Sequence, residues 1–223
     1  MQELKLNPLA DIARNGRIEE MFTTPIFWHV LPDTTALNDQ LKATILEKER
    51  GIPSAAKSNI GGWQSAPDFF SWPDPPVAAL RRLINCALDV ATVKVTAPRC
   101  LRAAFDVYGW AAVNRKGHYN LVHLHPMATW SGVYYVDAGE TGEDGTEGAL
   151  EFTHPIAAST MTFFPGILPS ARVVKPETGM LILFPSYLLH SVRMYRAEGP
   201  RICVPFNAHM RQPEGQAHAP EDH

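Results

Sequence analysis

Three histidines and one arginine have the residue types and spacing of a metal-dependent reaction centre. His123 and His125 are separated by a single residue, and His190 and Arg201 follow much later in the chain. Because neighbouring strand residues alternate between faces, the two imidazoles of a His-x-His pair point the same way. A third histidine from a distant strand closes one side of a metal and leaves the opposite side open. This arrangement suits Fe(II), or another divalent metal, bound for chemistry rather than for structure.

Two partial spacings around these histidines agree on one architecture. Five residues separate Gly117 from His123, which matches the start of the first motif of cupin-type jelly rolls. Gly179, Pro185 and His190 match the spacing of the second motif. The glutamate that is customary in the first motif is absent. The two spacings together still favour a metal site in a jelly roll.

Two amphipathic helices are predicted before Pro98. The first follows the candidate cap pair Thr34-Thr35, and its apolar residues recur four apart at Leu37, Leu41 and Ile45. The second begins at Asp74-Pro75, an N-cap followed by a proline in the first turn. Its apolar residues are Leu80, Leu83, Ile84, Ala87, Leu88 and Ala91.

The loop between these helices is too aromatic for an ordinary linker. It contains Gly61-Gly62-Trp63-Gln64-Ser65 and, shortly afterwards, Phe69. One interpretation is a segment that plugs one end of the core. The other is that Trp63, Gln64 and Phe69 face the substrate. The sequence leaves both open.

After Pro98 the chain consists of short β-rich runs separated by Gly, Pro and Asp. Strands are predicted over residues 102–113, 130–136, 149–152, 171–174, 180–184 and 202–206. Many short strands in one block indicate a sandwich or barrel, and metal ligands on early and late strands favour a jelly roll. The acidic segment 137–147 is expected to be a solvated hairpin loop. We expect one domain over residues 1–223, with a helical N-terminal part (1–97), a jelly-roll core (98–211) and a flexible tail (212–223).

Composition limits the function classes. The 223 residues are 45% hydrophobic with a formal charge of −3, which fits one soluble domain with a substantial core. The chain has no surplus of basic residues, which argues against a nucleic-acid partner. No apolar run approaches the roughly 20 residues that span a membrane. Cys86, Cys100 and Cys203 are odd in number and far apart, which argues against disulfides and for a cytoplasmic location. Cys203 is expected to be a buried, inert thiol.

Several segments of the chain, taken in order, resemble one enzyme family. Gly179–Ser186, His190–Val192 and Arg201–Asn207 resemble the closing strands of the Fe(II)/2-oxoglutarate-dependent oxygenases. The upstream segments resemble a subgroup of these oxygenases found in bacteria and phages; they are Gly61–Ser65, Trp110, Asn114, Gly117, His123–Pro126 and Ser131–Val136. The likeness reaches from about residue 22 to residue 207.

This resemblance implies a fold and an activity. The fold would be mainly β, a double-stranded β-helix (jelly roll, cupin-like) with N-terminal α-helices packed outside. The activity would be that of a 2-oxoglutarate-dependent dioxygenase, an oxidoreductase with Fe(II) as cofactor and 2-oxoglutarate as cosubstrate. Hydroxylation with O2 would be the default reaction, on a small molecule or a protein side chain. The pattern does not indicate the substrate's identity or an oligomeric state.

The resemblance also implies the metal ligands. His123 and His190 would bind iron, and His125 stands where most of the superfamily has Asp or Glu. Replacing a carboxylate by an imidazole leaves the site one unit more positive, which favours a dianionic cosubstrate. Nearby carboxylates stay open as alternative third ligands; they are Asp137, Glu147 and Glu151.

Four further residues match cosubstrate-binding positions of the family. Arg201 matches the arginine that grips the far carboxylate of 2-oxoglutarate, and a planar guanidinium can hold a carboxylate through two hydrogen bonds. Tyr135 stands where related enzymes place a tyrosine against the same carboxylate. Asn114 and Asn207 are weaker candidates, with ordinary strand-end hydrogen bonding as the alternative.

Two other functions stay open. A three-histidine cupin dioxygenase would cleave its substrate without a keto acid, although the arginine after His190 argues against it. A non-catalytic cupin-like module would use its metal only to hold a small ligand, and absence of turnover would identify it. Jelly rolls host many functions, so the fold alone does not separate these.

Overall fold

The computed structural model describes residues 17, 23–55, 58–140, 142, 144–156 and 170–211. The predicted flexible tail at 212–223 lies outside the described residues. The helices are α1 (Thr35–Gly51) and α2 (Pro75–Val95). The strands are β1 (Phe27–Val30), β2 (Asn59–Ile60), β3 (Trp63–Gln64), β4 (Phe105–Gly109), β5 (Ala112–Asn114), β6 (Tyr119–His123), β7 (Trp130–Asp137), β8 (Leu150–Thr153), β9 (Ala171–Val174), β10 (Met180–Pro185), β11 (His190–Val192) and β12 (Arg201–Met210). No helix in the described ranges is long and apolar enough to cross a membrane.

The strands form two antiparallel sheets. The larger sheet has the order β1-β10-β7-β12-β5-β3, with β4 also paired to β12. The smaller sheet has the order β2-β6-β11-β8-β9. Side chains from both sheets meet in one apolar cluster, to which Val133 and Phe184 of the larger sheet and Phe152 of the smaller sheet belong. This arrangement confirms the predicted double-stranded β-helix.

The two helices cover the outer face of the larger sheet. Strand alternation sends Ile182 of β10 into the cluster between the sheets and Leu181 and Leu183 into the cluster beneath the helices. The helices contribute their periodic apolar residues to this second cluster; these are Leu41, Ile45, Leu80, Ile84, Leu88 and Ala91. The N-terminal helices therefore pack outside the jelly roll, as predicted.

The N-terminal part also supplies strands to both sheets. β1 pairs with β10, β2 with β6 and β3 with β5, so segments before residue 97 extend the larger and the smaller sheet. Strands of two to four residues carry too little alternation to be recognised in a sequence. The predicted strand over 102–113 is two strands, β4 and β5, interrupted at Trp110 and Ala111.

The acidic segment 137–147 is not a hairpin loop. β7, which ends at Asp137, lies in the larger sheet, and β8, which begins at Leu150, lies in the smaller sheet. The connection therefore crosses between the sheets. The hairpin prediction was wrong because local turn signals do not reveal which strand a chain pairs with next.

Candidate metal centre

The three predicted histidines come together between the sheets. β6 ends at His123 and β11 begins at His190, and these two residues are direct cross-strand partners. His125 follows two residues after the end of β6, where its backbone N–H donates to the Ser186 carbonyl at 3.1 Å. One ring nitrogen of each histidine lies within 4.8 Å of the others. This spacing matches three ligands of one metal ion.

A backbone carbonyl or a side-chain amide lies beside the Nδ1 atom of each ring. His123 Nδ1 lies 2.7 Å from the Leu121 carbonyl oxygen, and His190 Nδ1 lies 2.8 Å from that of Leu188. Because a carbonyl can only accept, both Nδ1 atoms carry the proton and both Nε2 atoms keep a lone pair. His125 Nδ1 lies 3.4 Å from the Asn207 amide. Such partners orient metal-binding imidazoles.

Two of the histidines, His123 and His190, are suited to bind a cation because burial keeps them neutral. Burial, reinforced by the neighbouring His123, lowers the pKa of His190 to about 3. Burial also lowers the pKa of His123. At neutral pH both rings are therefore neutral, with one protonated nitrogen each, which is the form that binds a metal. The donor set thus fits Fe(II).

Two of the three alternative carboxylate ligands are held in ion pairs, and the third lies at a surface depression. Asp137 pairs with Lys42 at 2.7 Å, and Glu151 pairs with Arg193 at 2.5 Å. Glu147 borders a surface depression together with Arg193 and Arg196. Within the described residues, the only cluster of three or more His, Cys, Asp or Glu able to hold a metal is the histidine triad. The geometry therefore favours His125 as third ligand.

Arg201 is a buried cation without an anion. Its side chain, the first of β12, is 1% exposed and forms no ion pair with the described residues. Its Nε is buried with no hydrogen-bond partner among the residues that the structure describes, and its Nη1 lies 3.5 Å from the Cys203 sulfur. Burying an unpaired charge is costly. The guanidinium therefore indicates a site for an anionic ligand.

Polar residues and one glycine surround this guanidinium. Asn114 of β5 is the direct cross-strand partner of Arg201, and the Tyr135 ring centroid lies 5.1 Å from its Cζ. Burial raises the pKa of Tyr135 to about 12 although the Arg201 charge opposes this, so the phenol stays neutral. Gly148 has a φ of +64°, and an added Cβ there would lie 2.8 Å from Arg201 Cδ. Only glycine allows this close approach.

One cavity, here called the metal cavity, joins these groups. Its volume is about 60 Å³. Polar and charged lining comes from His123, His125, His190, Arg201, Tyr135, Asn114, Asn120, Ser58 and Gln64. The apolar wall comes from Val133, Leu150, Phe184 and Val192, among others. Cys203 also lines it, and burial raises the pKa of this thiol, as expected for the predicted inert cysteine.

The aromatic loop is divided between the core and the site. Trp63 is 6% exposed, belongs to the cluster beneath the helices and donates from Nε1 to the Ile52 carbonyl at 2.7 Å. Phe69 is fully buried in the same cluster. The substrate-facing prediction for these two residues was therefore wrong. Gln64, the neighbour of Trp63 in β3, faces the cavity instead because adjacent strand residues point to opposite faces.

Ser58 and Asn120 were not singled out from the sequence, and Trp110 was named only among the segments that resemble the oxygenase family. Trp110, Ser58 and Asn120 line the metal cavity. Trp110 follows Gly109 at the break between β4 and β5. A glycine within a strand pattern often marks such an irregular position. Asn120 lies out of alternation with His123 because the pairing of β6 with β11 shifts register between His190 and Val192. Only the pairing reveals that shift.

Comparisons with known proteins agree with this geometry. Residues 108–207 match the sequence model of the family described as "Putative 2OG-Fe(II) oxygenase". No protein of known, curated function matches the sequence. The matched residues contain all three histidines and Arg201.

Three solved structures show the same fold at low sequence identity. A prolyl-4-hydroxylase from Pseudomonas putida is 20% identical with a TM-score of 0.57, and the match covers 92% of this chain and 97% of that one. A Trichoplax adhaerens prolyl hydroxylase, in complex with a peptide fragment of the hypoxia inducible factor, is 14% identical with a TM-score of 0.56 and coverage of 90% and 86%. HygX from Streptomyces hygroscopicus, with nickel and 2-oxoglutarate bound, is 13% identical with a TM-score of 0.57 and coverage of 84% and 83%.

The family match, the histidine triad and the jelly roll agree with one another. The triad lies where the two sheets face each other, and a buried arginine lines the same cavity. Residues 108–207 are similar to the Fe(II)- and 2-oxoglutarate-dependent oxygenases, and the chain has the fold of the solved structures compared above.

Proposed function

We propose that this chain is an Fe(II)- and 2-oxoglutarate-dependent oxygenase that hydroxylates a small molecule or a peptide side chain, with the histidine triad binding Fe(II) and Arg201 binding 2-oxoglutarate. The observation that carries this proposal is the buried Arg201, which has no ion-pair partner among the described residues and lines the same cavity as the histidine triad. 2-Oxoglutarate has a carboxylate at each end, so it can pair with the guanidinium and still present its keto acid to the metal. A dianion also suits a site whose metal ligands carry no negative charge.

Two neighbours of Arg201 support the binding of a carboxylate. Tyr135 keeps its phenolic proton and can donate it to a carboxylate oxygen. Asn114, 4% exposed and opposite Arg201 in the sheet, can donate through its amide. Both therefore add hydrogen bonds to a site whose charge comes from Arg201.

Asn207 has a different proposed role from the one that the family resemblance implied. It is 1% exposed and contacts His125 rather than Arg201. When His125 binds a metal through Nε2, its Nδ1–H needs an acceptor, and the amide oxygen of Asn207 can supply it. The Ser131 hydroxyl, 2.7 Å from Asn207, can donate or accept and therefore accommodates either orientation of the amide. Asn207 thus positions the third ligand.

The chain's contribution to catalysis is binding, orientation and exclusion of water. When bound, Fe(II) and 2-oxoglutarate supply the activation of O2 and the oxidising power for a C–H bond. The imidazoles keep a fixed orientation because carbonyls and Asn207 hold their Nδ1 atoms. Phe184 packs edge-on against His190, with ring centroids 4.8 Å apart. This apolar wall keeps water from the reacting groups.

The test is an anaerobic titration of metal-loaded protein with 2-oxoglutarate, followed by the visible absorption of the metal-bound keto acid. Truncating one partner of a buried charge pair costs about 2 to 5 kcal/mol, so Arg201→Ala should raise the Kd roughly 30-fold or more while metal binding stays nearly intact. Arg201→Lys should recover only part of the loss. The matched control is Arg102→Ala, because Arg102 pairs with Asp89 on the surface.

The same titration addresses the two other functions. Equal affinity for 2-oxoglutarate in wild type and Arg201→Ala would remove the cosubstrate role of Arg201. No binding by either protein would favour the three-histidine cupin dioxygenase. Absence of both O2 consumption and succinate release would favour a non-catalytic module. The three cysteines are unpaired, and a cytoplasmic location stays a prediction from that chemistry.

A further inference from the structure

A second cavity adjoins the metal cavity, and we propose that it binds an uncharged amide group of the substrate. This side cavity has a volume of about 110 Å³. It shares His125, Trp110, Gln64 and Ser58 with the metal cavity. A group bound there lies next to the third metal ligand. The inference rests on the proposed function, because it names the chemistry of the substrate for that same site.

The side cavity offers no counter-ion to a charged group. No Lys, Arg, Asp or Glu of the described residues lines it, and its rim includes the uncharged side chains of Tyr108 and Asn207. Placing a carboxylate or an ammonium group there would cost desolvation that no ion pair offsets. The ligand group is therefore polar but neutral.

Trp110 provides a hydrogen-bond donor that the described part of the chain leaves unused. Its backbone N–H donates to the Pro205 carbonyl at 3.0 Å, which fixes the residue between β4 and β5. Its ring lies 5.9 Å from that of His125, and its Nε1 is buried with no hydrogen-bond partner in the described ranges. Buried indole N–H groups usually have a partner. A ligand carbonyl in the adjoining space would supply the acceptor.

Gln64 provides the complementary group. It is 7% exposed, its backbone N–H donates to Ser54 Oγ at 3.0 Å, and its carbonyl accepts from Ala55 at 2.8 Å. With the backbone fixed, the side-chain amide lines both cavities and makes no hydrogen bond to the described residues. It can therefore donate and accept at once.

An amide matches both groups. Its carbonyl oxygen can accept from the Trp110 indole, and its N–H can donate to the Gln64 carbonyl oxygen. A hydroxyl has the same polarity but lacks the planar pair of donor and acceptor. Either a peptide chain or a small carboxamide supplies this chemistry. The C–H bond nearest to the amide would then lie beside His125 and the metal.

The experiment follows the indole N–H signal of Trp110 by NMR in the full chain, loaded with Zn(II), which supports no turnover, and with 2-oxoglutarate. Loss of one signal in Trp110→Phe assigns it. N-methylacetamide and acetamide should shift this signal saturably, whereas acetate and methylammonium should not. A blocked dipeptide that binds more tightly than acetamide identifies a peptide as the source, and equal binding identifies a small carboxamide.

Variants separate the subsite from the fold. Gln64→Met keeps the shape but removes the amide, so the Kd for N-methylacetamide should rise about threefold to tenfold, which is the effect of one hydrogen bond. Trp110→Phe, read from saturation transfer to the probe's methyl groups, should give a similar loss. Gln40→Met, on the exposed face of α1, is the matched control and should change nothing.

In the wild-type protein, either of two results would overturn the inference: no shift of the Trp110 indole signal with any amide, or an equal shift with acetate. An unchanged Kd in both Gln64→Met and Trp110→Phe would overturn it as well. Affinity for 2-oxoglutarate is measured on the same samples. If 2-oxoglutarate still binds in an Arg201-dependent way while no amide binds, the proposed function stands and the amide subsite is ruled out. The reverse pattern removes the cosubstrate and leaves the amide site in place.

Discussion

At the scale of single residues, His125 decides the charge of the metal centre. Its imidazole completes the triad with His123 and His190, and two of the candidate carboxylates, Asp137 and Glu151, are held in ion pairs. A site with three neutral ligands retains a bare dication less strongly than a site with one carboxylate. A dianionic cosubstrate therefore contributes more electrostatic stabilisation to the metal at this site.

This reasoning predicts opposite outcomes for two substitutions at His125. His125→Asp should keep the metal, because it restores two imidazoles and one carboxylate, whereas His125→Ala should lose it. Metal content after dialysis, measured by atomic absorption, checks both. Wild-type metal content and activity in His125→Ala would mean that another group is the third ligand.

Asn207 should act on the metal through His125. Asn207→Leu removes the acceptor for Nδ1–H and should weaken metal affinity about 10- to 100-fold, the usual effect of losing such a partner. Asn207→Asp should recover most of it, since a carboxylate also accepts. Competition with a chelator gives the affinities, and the ¹⁵N shift of His125 reports its tautomer. Equal affinity and an unchanged tautomer in Asn207→Leu would reduce Asn207 to a structural residue.

At the scale of elements, β3 joins the core to the site within two residues. Trp63 points into the cluster beneath the helices, and Gln64 points into the cavities. The element is short, but its pairing with β5 and the hydrogen bond from Trp63 to Ile52 fix both side chains. Substitutions at these adjacent positions should therefore have separable effects.

Trp63→Ala should lower the free energy of unfolding by about 3 to 5 kcal/mol, as expected for a large buried side chain. The protein that remains folded should bind 2-oxoglutarate with wild-type affinity. Gln64→Met is the matched comparison and should lose far less stability, because its side chain makes no hydrogen bond to the described residues. Urea unfolding gives the stabilities. A large loss of 2-oxoglutarate affinity in folded Trp63→Ala would mean that Trp63 contributes to the binding site.

At the scale of the whole molecule, the ligands connect parts that are distant in sequence. The triad comes from β6, the segment after it and β11 in the smaller sheet, and Arg201 comes from β12 in the larger sheet. Metal and cosubstrate together would therefore link the two sheets. Ligands that bind only the folded state stabilise it by mass action.

Fe(II) with 2-oxoglutarate, each at about 100 times its Kd under anaerobic conditions, should stabilise the fold by about 2.7 kcal/mol per ligand. For a chain of this size, each ligand should raise Tm by about 5 to 10 °C. Differential scanning fluorimetry with and without a chelator measures the change. The Tm of His190→Ala should be the same with and without the chelator. An equal shift in that variant would place the metal elsewhere.

The sequence by itself determined the periodic helices, the β-rich second half and the candidate ligands, because these depend on neighbours along the chain. Apolar residues four apart define α1, and His123, His190 and Arg201 lie at motif spacings. The tertiary structure decided which groups meet. It paired Asp137 and Glu151 with cations, and it placed Trp63 in the cluster beneath the helices and Gln64 in the cavities. It also led the chain from one sheet to the other after β7. These outcomes depend on strand pairing, register and burial, which long-range contacts set and local spacing does not encode.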